Sequence, residues 1–211
     1  LLTSKYPAIP PKLCPMIDTS SRVYTWASFV KFEHTLFSLP LLYAGAVIAA
    51  GTFPDLRTAL WILGGGTGAR TAAMGLNRII DRNIDARNLR TEVRELPRGT
   101  MNLAEAWGIV GAGLALYLLS CFMLSPFALS LSPVPLIVFV IYPYMKRFTS
   151  LAHFGVGTAL ALAPLGGFIA VTASISDSTA VLWLAAFTLL WVAGFDIIYA
   201  TLDIEFDRTE G

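Results

Sequence analysis

The 211 residues are 55% hydrophobic and only 14% charged, with a mean hydropathy of +0.66. Soluble domains carry about 25% charged residues, so this composition excludes an ordinary soluble domain and makes lipid the solvent for most of the chain. A net charge of +1 excludes a nucleic-acid partner held by bulk charge, and Cys14 and Cys121 fit neither a disulfide framework nor a metal-ligand spacing.

Residues 1–28 read as a cytoplasmic N-terminal arm: they contain Pro7, Pro10, Pro11 and Pro15 and lack an apolar run of signal length, so no cleavable signal is expected. A membrane helix needs about 20 mostly apolar residues. Six stretches qualify as expected spans, at 29–50, 59–80, 103–124, a short one at 133–144, then 151–173 and 179–202. The predicted fold is therefore all-α, a multi-span transmembrane helix bundle occupying 29–211. Pro40, Pro135, Pro143 and Pro164 fall in or beside spans, where neighbouring helices can satisfy the freed backbone groups. The Gly64, Gly65, Gly66, Gly68 run contains a GxxxG spacing inside an apolar helix and predicts close helix packing rather than a phosphate loop. Trp61, Trp107 and Trp183 sit near span ends, as interfacial tryptophans do.

Basic residues set the orientation. With six spans, the linkers near 51–58, 125–132 and 174–178 share one side and hold a single basic residue, Arg57. The opposite side collects Arg22, Arg82, Arg87, Arg90, Arg94 and Arg98, with Lys5, Lys12, Lys146, Arg147 and Arg208. The positive-inside rule predicts a multi-pass protein whose N-terminus and functional site face the cytoplasm.

The acidic residues are bunched where two spans end on that side. Asn77, Asp81 and Asp85 follow i, i+4, i+8, which stacks three oxygen-bearing side chains on one helix face. Asp196, Tyr199, Asp203 and Asp207 follow i+3 and i+4 steps, again on one face. Carboxylates at membrane depth are costly and mark function. Hard oxygen ligands with no adjacent His or Cys suit Mg²⁺, which is commonly held by one or two carboxylates and by substrate phosphate oxygens. Arg90, Arg94 and Arg98 follow the first stripe, and Lys146 with Arg147 lie in the fourth-to-fifth turn, where they can clamp phosphate. For Arg82, Arg87 and Arg90 a plain topology signal is the alternative. Glu92, Glu95, Glu105, Glu205 and Glu210 read as solvated charges, and His34 and His153 as interface hydrogen-bonding groups.

Arg70 lies about two turns inside the second span, seven residues before Asn77. A guanidinium there needs an anion. Two partners are open, a helix-end carboxylate such as Asp196 or the carboxylate of an acceptor substrate. Two other function classes are weaker. A cation transporter explains the carboxylates but leaves the Arg and Lys loops to repel its ion, and a structural membrane subunit explains neither stripe.

At these residues the chain resembles the UbiA family of intramembrane prenyltransferases. The family's NxxxDxxxD element matches Asn77, Asp81 and Asp85, and its DxxxD element matches Asp203 and Asp207. A YxxxK element matches Tyr142 and Lys146, and an RPLPxG element appears as 94–99 with Glu95 in place of its first proline. The Arg70 to Asn77 spacing, the Asp196-x-x-Tyr199 run and the 31–40 segment are similar to the branch that prenylates 4-hydroxybenzoate, or a dihydroxynaphthoate as acceptor.

The resemblance implies Mg-dependent transfer of a polyprenyl group from an isoprenyl diphosphate to an aromatic acid, within quinone or related lipid biosynthesis and with no protein partner required. It implies Asn77, Asp81, Asp85, Asp203 and Asp207 as metal-holding and catalytic residues, with Lys146 and Tyr199 also catalytic. Arg70, Arg94, Tyr142, Arg147 and Asp196 would bind substrates. Tyr142, Tyr199 or Phe195 would face an allylic cation, and an acidic-motif carboxylate would take the ring proton. Family members usually continue with three more helices, so the resemblance implies a domain cut short at Gly211.

Overall fold

The computed structural model describes residues 21–88, 90–145, 147–149 and 151–201. Every regular element in that range is helical: α1 (Arg22–Phe29), α2 (Phe32–Ala50), α3 (Leu56–Asp85), α4 (Leu103–Leu124), α5 (Pro126–Leu131), α6 (Pro133–Met145), α7 (Ala152–Thr172) and α8 (Thr179–Ala200).

Local sequence explains the boundaries. Asp55 caps α3 by accepting hydrogen bonds from the Arg57 and Thr58 amides at 3.0 and 3.2 Å. Asn102 and Glu105 close a reciprocal capping box at the start of α4. Gly51, at φ 69°, ends α2 in the left-handed region that glycine enters without a Cβ penalty. The expected first span is divided, because the helix breaks at Val30 and Lys31, the latter at φ 50°. Thus 22–29, assigned above to the arm and the start of that span, forms the separate helix α1.

The expected fourth span is longer than read from sequence. Residues 125–132 do not form a linker: Ser125 caps α5 and Pro126 occupies its first turn, so Pro126–Met145 is one 20-residue apolar stretch. Proline at the first helical position lacks only an amide that has no partner there anyway. Among the described residues, four segments are long and apolar enough to cross a bilayer: Leu103–Leu124, Pro126–Met145, Ala152–Thr172 and Thr179–Ala200. The apolar part of α2 is shorter, Phe37–Ala50. The α3 helix, expected as the second span, is long enough at 30 residues, but Arg70, its glycines and its polar C-terminal turns lower its hydropathy.

Helices meet where side chains are absent. A Cβ on Gly68 would lie 2.7 Å from the Gly113 carbonyl oxygen, and one on Gly113 would lie 2.9 Å from that of Gly68, so α3 and α4 cross backbone to backbone. The expected packing role of the glycine run is thereby seen. At the α2–α7 crossing, Gly45 faces the Pro164 carbonyl and Gly167 faces that of Leu42, with no room for a methyl at either. Small residues permit this approach, and dispersion and close packing stabilise helices in lipid. One apolar cluster, Phe29, Val30, Ile79, Met101, Ala106 and Val110, ties α1, α3, α4 and the 86–102 loop together at one end of the bundle. Trp183, Leu190 and Trp191 on α8 are exposed, as expected of a face that meets acyl chains.

Candidate active site

The functional end of the bundle gathers the C-terminal turns of α3, α6 and α8 and the first turn of α7. The α3 helix continues to Asp85, so the Asn77, Asp81, Asp85 stripe is helical as the spacing requires. The Asn77 amide donates to Asp81 at 3.2 Å. Asp81 is 0% exposed, and Arg147 from the α6–α7 turn reaches across to it at 3.8 Å while donating to the Ile80 carbonyl at 2.9 Å. Arg147 also lies over the Tyr144 ring at 4.9 Å. Asp85, 5% exposed, pairs with Arg94 at 2.7 Å. Each stripe carboxylate therefore already faces a loop arginine, which offsets the like-charge repulsion expected of two buried acids one turn apart.

The 86–102 loop is held down by contacts that sequence reasoning missed. Arg78, 4% exposed, pairs with Glu95, which also accepts a hydrogen bond from the Ser28 hydroxyl at 2.6 Å. Phe29 lies under the Arg78 guanidinium at 5.9 Å. Glu95, read above as a solvated charge, is a half-buried ion-pair partner that ties the loop to α1 and α3. Glu92 is exposed as expected, and Glu105 serves the α4 cap. The Thr91 hydroxyl donates to the Asp85 carbonyl at 3.1 Å, closing the start of the loop over the helix end. These contacts fix Arg94 opposite Asp85.

The opposing wall comes from α7 and α8. His153 Nδ1 and Asp196 Oδ2 are 2.8 Å apart, so Asp196, one of the two partners left open for Arg70, is engaged by His153. The expected interface role of His153 is thus observed. Its signal in the sequence was an imidazole in the first turn of an apolar span, where a polar side chain at membrane depth marks function. The Phe195 and Tyr199 rings meet at a tilt of 37°, with centroids 5.3 Å apart. Tyr142 lies within electrostatic reach of Arg70, Asp81 and Asp196 and so joins the two walls. Arg70 is mostly buried, and its Nε makes no hydrogen bond among the described residues.

These side chains close one end of a cavity of about 1320 Å³. Its polar end is lined by Arg70, Asn77, Asp85, Arg94, Arg147 and Asp196, with Tyr142, His153 and Tyr199 beside them. Arg87 and Arg90 also line it. The rest is apolar, from Leu39 and Leu42 through Leu160 to Ile169. Trp61, expected at an interface, is one of these walls. Asp81 is not among the lining residues. Lys146, Asp203, Asp207 and the His34 side chain lie outside the described residues, so the second acidic stripe is represented here by Asp196 and Tyr199 alone. Among the described residues no three of His, Cys, Asp and Glu are grouped to hold a metal ion. The α3 stripe offers two carboxylates and an amide oxygen, a donor set that fits a hard divalent cation such as Mg²⁺.

The sequence profile of the UbiA prenyltransferase family matches residues 38–211. A 4-hydroxybenzoate octaprenyltransferase of Shewanella woodyi is 30% identical over 182 residues, covering 83% of this chain and 60% of that protein. A polyprenyl transferase of Arthrobotrys oligospora is 33% identical over 192 residues, covering 84% of this chain and 52% of the relative. The chain thus spans between half and two thirds of the length of these relatives. Among solved structures, the apo form of a UbiA homolog from Aeropyrum pernix superposes with a TM-score of 0.77 at 40% identity, over 84% of this chain and 66% of that one. A digeranylgeranylglyceryl phosphate synthase shares the fold, with a TM-score of 0.74 at 21% identity, over 90% and 66%. This all-helical membrane chain, with its stripe of Asn77, Asp81 and Asp85 above an apolar cavity, belongs to the UbiA prenyltransferase family.

Proposed function

We propose that the protein transfers a polyprenyl group from an isoprenyl diphosphate to an aromatic acid such as 4-hydroxybenzoate, with Mg²⁺ as cofactor and the reaction centre facing the cytoplasm. One observation carries the reading. A single cavity pairs a cationic and carboxylate-bearing head with a long apolar body, which matches a diphosphate joined to a hydrocarbon chain. The names of the relatives support the same substrate classes. A dihydroxynaphthoate remains the alternative acceptor.

Asn77, Asp81 and Asp85 would hold Mg²⁺ from one side, with Asp203 and Asp207 as the second set. Bound there, the metal supplies positive charge to the diphosphate oxygens. Arg94, Arg147 and Lys146 neutralise the remaining charge as the diphosphate departs, and developing charge is where fixed polar groups accelerate a reaction most. The Tyr142 and Tyr199 rings face the allylic carbon and stabilise its positive charge, each by about 0.5–2 kcal/mol. Arg70, which lines the cavity, would take the acceptor's carboxylate and so fix the ring against that carbon.

The test is prenylation in membranes carrying the protein, with geranyl diphosphate, Mg²⁺ and 4-hydroxybenzoate or a dihydroxynaphthoate. The expected result is a lipophilic product that disappears with EDTA, returns with Mg²⁺ and is lost in both Asp81→Ala and Asp203→Ala. Turnover that survives EDTA, or survives both substitutions, rejects the metal-held diphosphate.

A further inference from the structure

Ring alkylation leaves a proton on the attacked carbon, and some group must remove it. The two stripe carboxylates within the described residues are poorly free for this task. Asp81 has no exposed surface and is not part of the cavity wall, and Asp85 is paired to Arg94 at 2.7 Å. The cavity wall offers a different group. His153, in the first turn of α7, opens onto the cavity, and its Nδ1 lies 2.8 Å from Asp196 on α8. A carboxylate that accepts from Nδ1 selects the neutral-ring tautomer with its proton there and its lone pair on Nε2. Nε2 makes no hydrogen bond among the described residues. Tyr142, within electrostatic reach of both Asp196 and Arg70, lines the same cavity.

We propose that His153 is the base that takes the ring proton, and that Asp196 is a positioning residue that fixes its tautomer. The inference rests on the prenyl-transfer reading above. The allylic C–O bond breaks and diphosphate leaves with the electron pair. A ring π pair forms the new C–C bond. The proton on that carbon passes to Nε2, and the C–H pair restores the aromatic ring. The resulting imidazolium sits against the Asp196 carboxylate, an arrangement that stabilises the charge and needs no reorganisation. The diphosphate-holding residues take no part in this step, so substrate ionisation and ring deprotonation are separable by mutation.

The experiment compares the full chain in membranes with its His153→Ala, His153→Gln and Asp196→Asn variants, using geranyl diphosphate with ordinary and ring-deuterated 4-hydroxybenzoate. General-base loss lowers rates by about 10²–10⁴-fold, and that drop is expected in kcat for both His153 variants, with KM for each substrate unchanged. A deuterium effect small in the wild type is expected to become large in the variants, because proton removal becomes slow. Added imidazole is expected to restore part of the His153→Ala rate. Asp196→Asn is expected to lower kcat and to be insensitive to imidazole. His153→Gln keeps a donor to Asp196 and guards against a folding defect in the alanine variant. His153 variants with wild-type kcat overturn the assignment. So does a rate loss in both without a larger deuterium effect or imidazole rescue. A wild-type chain that prenylates neither this acceptor nor a dihydroxynaphthoate overturns the functional reading itself, and this inference with it.

Discussion

Arg70 is a largely buried guanidinium in the middle of α3 with a nitrogen that no described protein group satisfies. A charge in that position is stable only if something anionic arrives, and the cavity it lines is where that anion would enter. A charged hydrogen bond contributes about 1.5–3 kcal/mol. Arg70→Ala is therefore expected to raise the acceptor KM by roughly 10- to 100-fold while leaving the diphosphate KM unchanged, and Arg70→Lys to recover little of it because a point charge does not reproduce the planar fork. Steady-state kinetics with each substrate varied in turn decides this; a change in the diphosphate KM alone rejects the role. The position of Arg70 was legible from its spacing to Asn77, but its partner was not. Asp196 is engaged by His153, 43 residues away, and no periodicity along one helix reports a contact of that separation. Glu95 was misread for the same reason. Its loop has no repeating pattern, and only the fold brings Arg78 and Ser28 to it.

At the scale of helices, close crossings depend on missing methyl groups. Gly45 and Gly167 each abut a carbonyl of the facing helix, whereas Gly108 and Gly111 on α4 have open space beside them. Overpacking a well-fitted contact costs about 1–3 kcal/mol, while replacing an unobstructed helical glycine by alanine gains about 0.5–1 kcal/mol. Gly45→Ala and Gly167→Ala should therefore lower the thermal midpoint in detergent, and Gly108→Ala and Gly111→Ala should hold or raise it. Equal behaviour of the two pairs would show that the α2–α7 crossing is not tight. The glycine run on α3 could be read from sequence because the GxxxG spacing sits inside one apolar helix. The extra turns before the fourth span could not. Residues 125–132 read as a linker along the chain, yet Pro126 and Pro133 begin α5 and α6, where a proline costs nothing.

For the molecule as a whole, the basic loops, the α3 stripe and the His153–Asp196 pair gather at one end, and the 51–55 and 174–178 connections lie at the other. That separation agrees with the charge asymmetry in the sequence, because alternate helices must return to the same side. In a background with Cys14 and Cys121 replaced by serine, Glu92→Cys is expected to react with an impermeant maleimide only after the cytoplasmic face is opened. Ser176→Cys is expected to react in intact cells. Both positions are exposed loop sites. The reverse pattern would invert the topology, and labelling of both from one side would break the alternation.

The 30 residues of α3 extend about 45 Å at 1.5 Å per residue, against a hydrocarbon slab about 30 Å thick. A rod with a third of its length beyond the slab carries its last turns out to the level of the lipid phosphates. The amphiphilic donor of the proposed reaction would float at that height, its anionic head in the wet layer and its tail among acyl chains. It can drift sideways into register with Asn77 and Asp85 without being lifted out of the bilayer, so the search for substrate is two-dimensional. The effective concentration governing such an encounter is then the mole fraction in the leaflet, not the amount dissolved in the surrounding water.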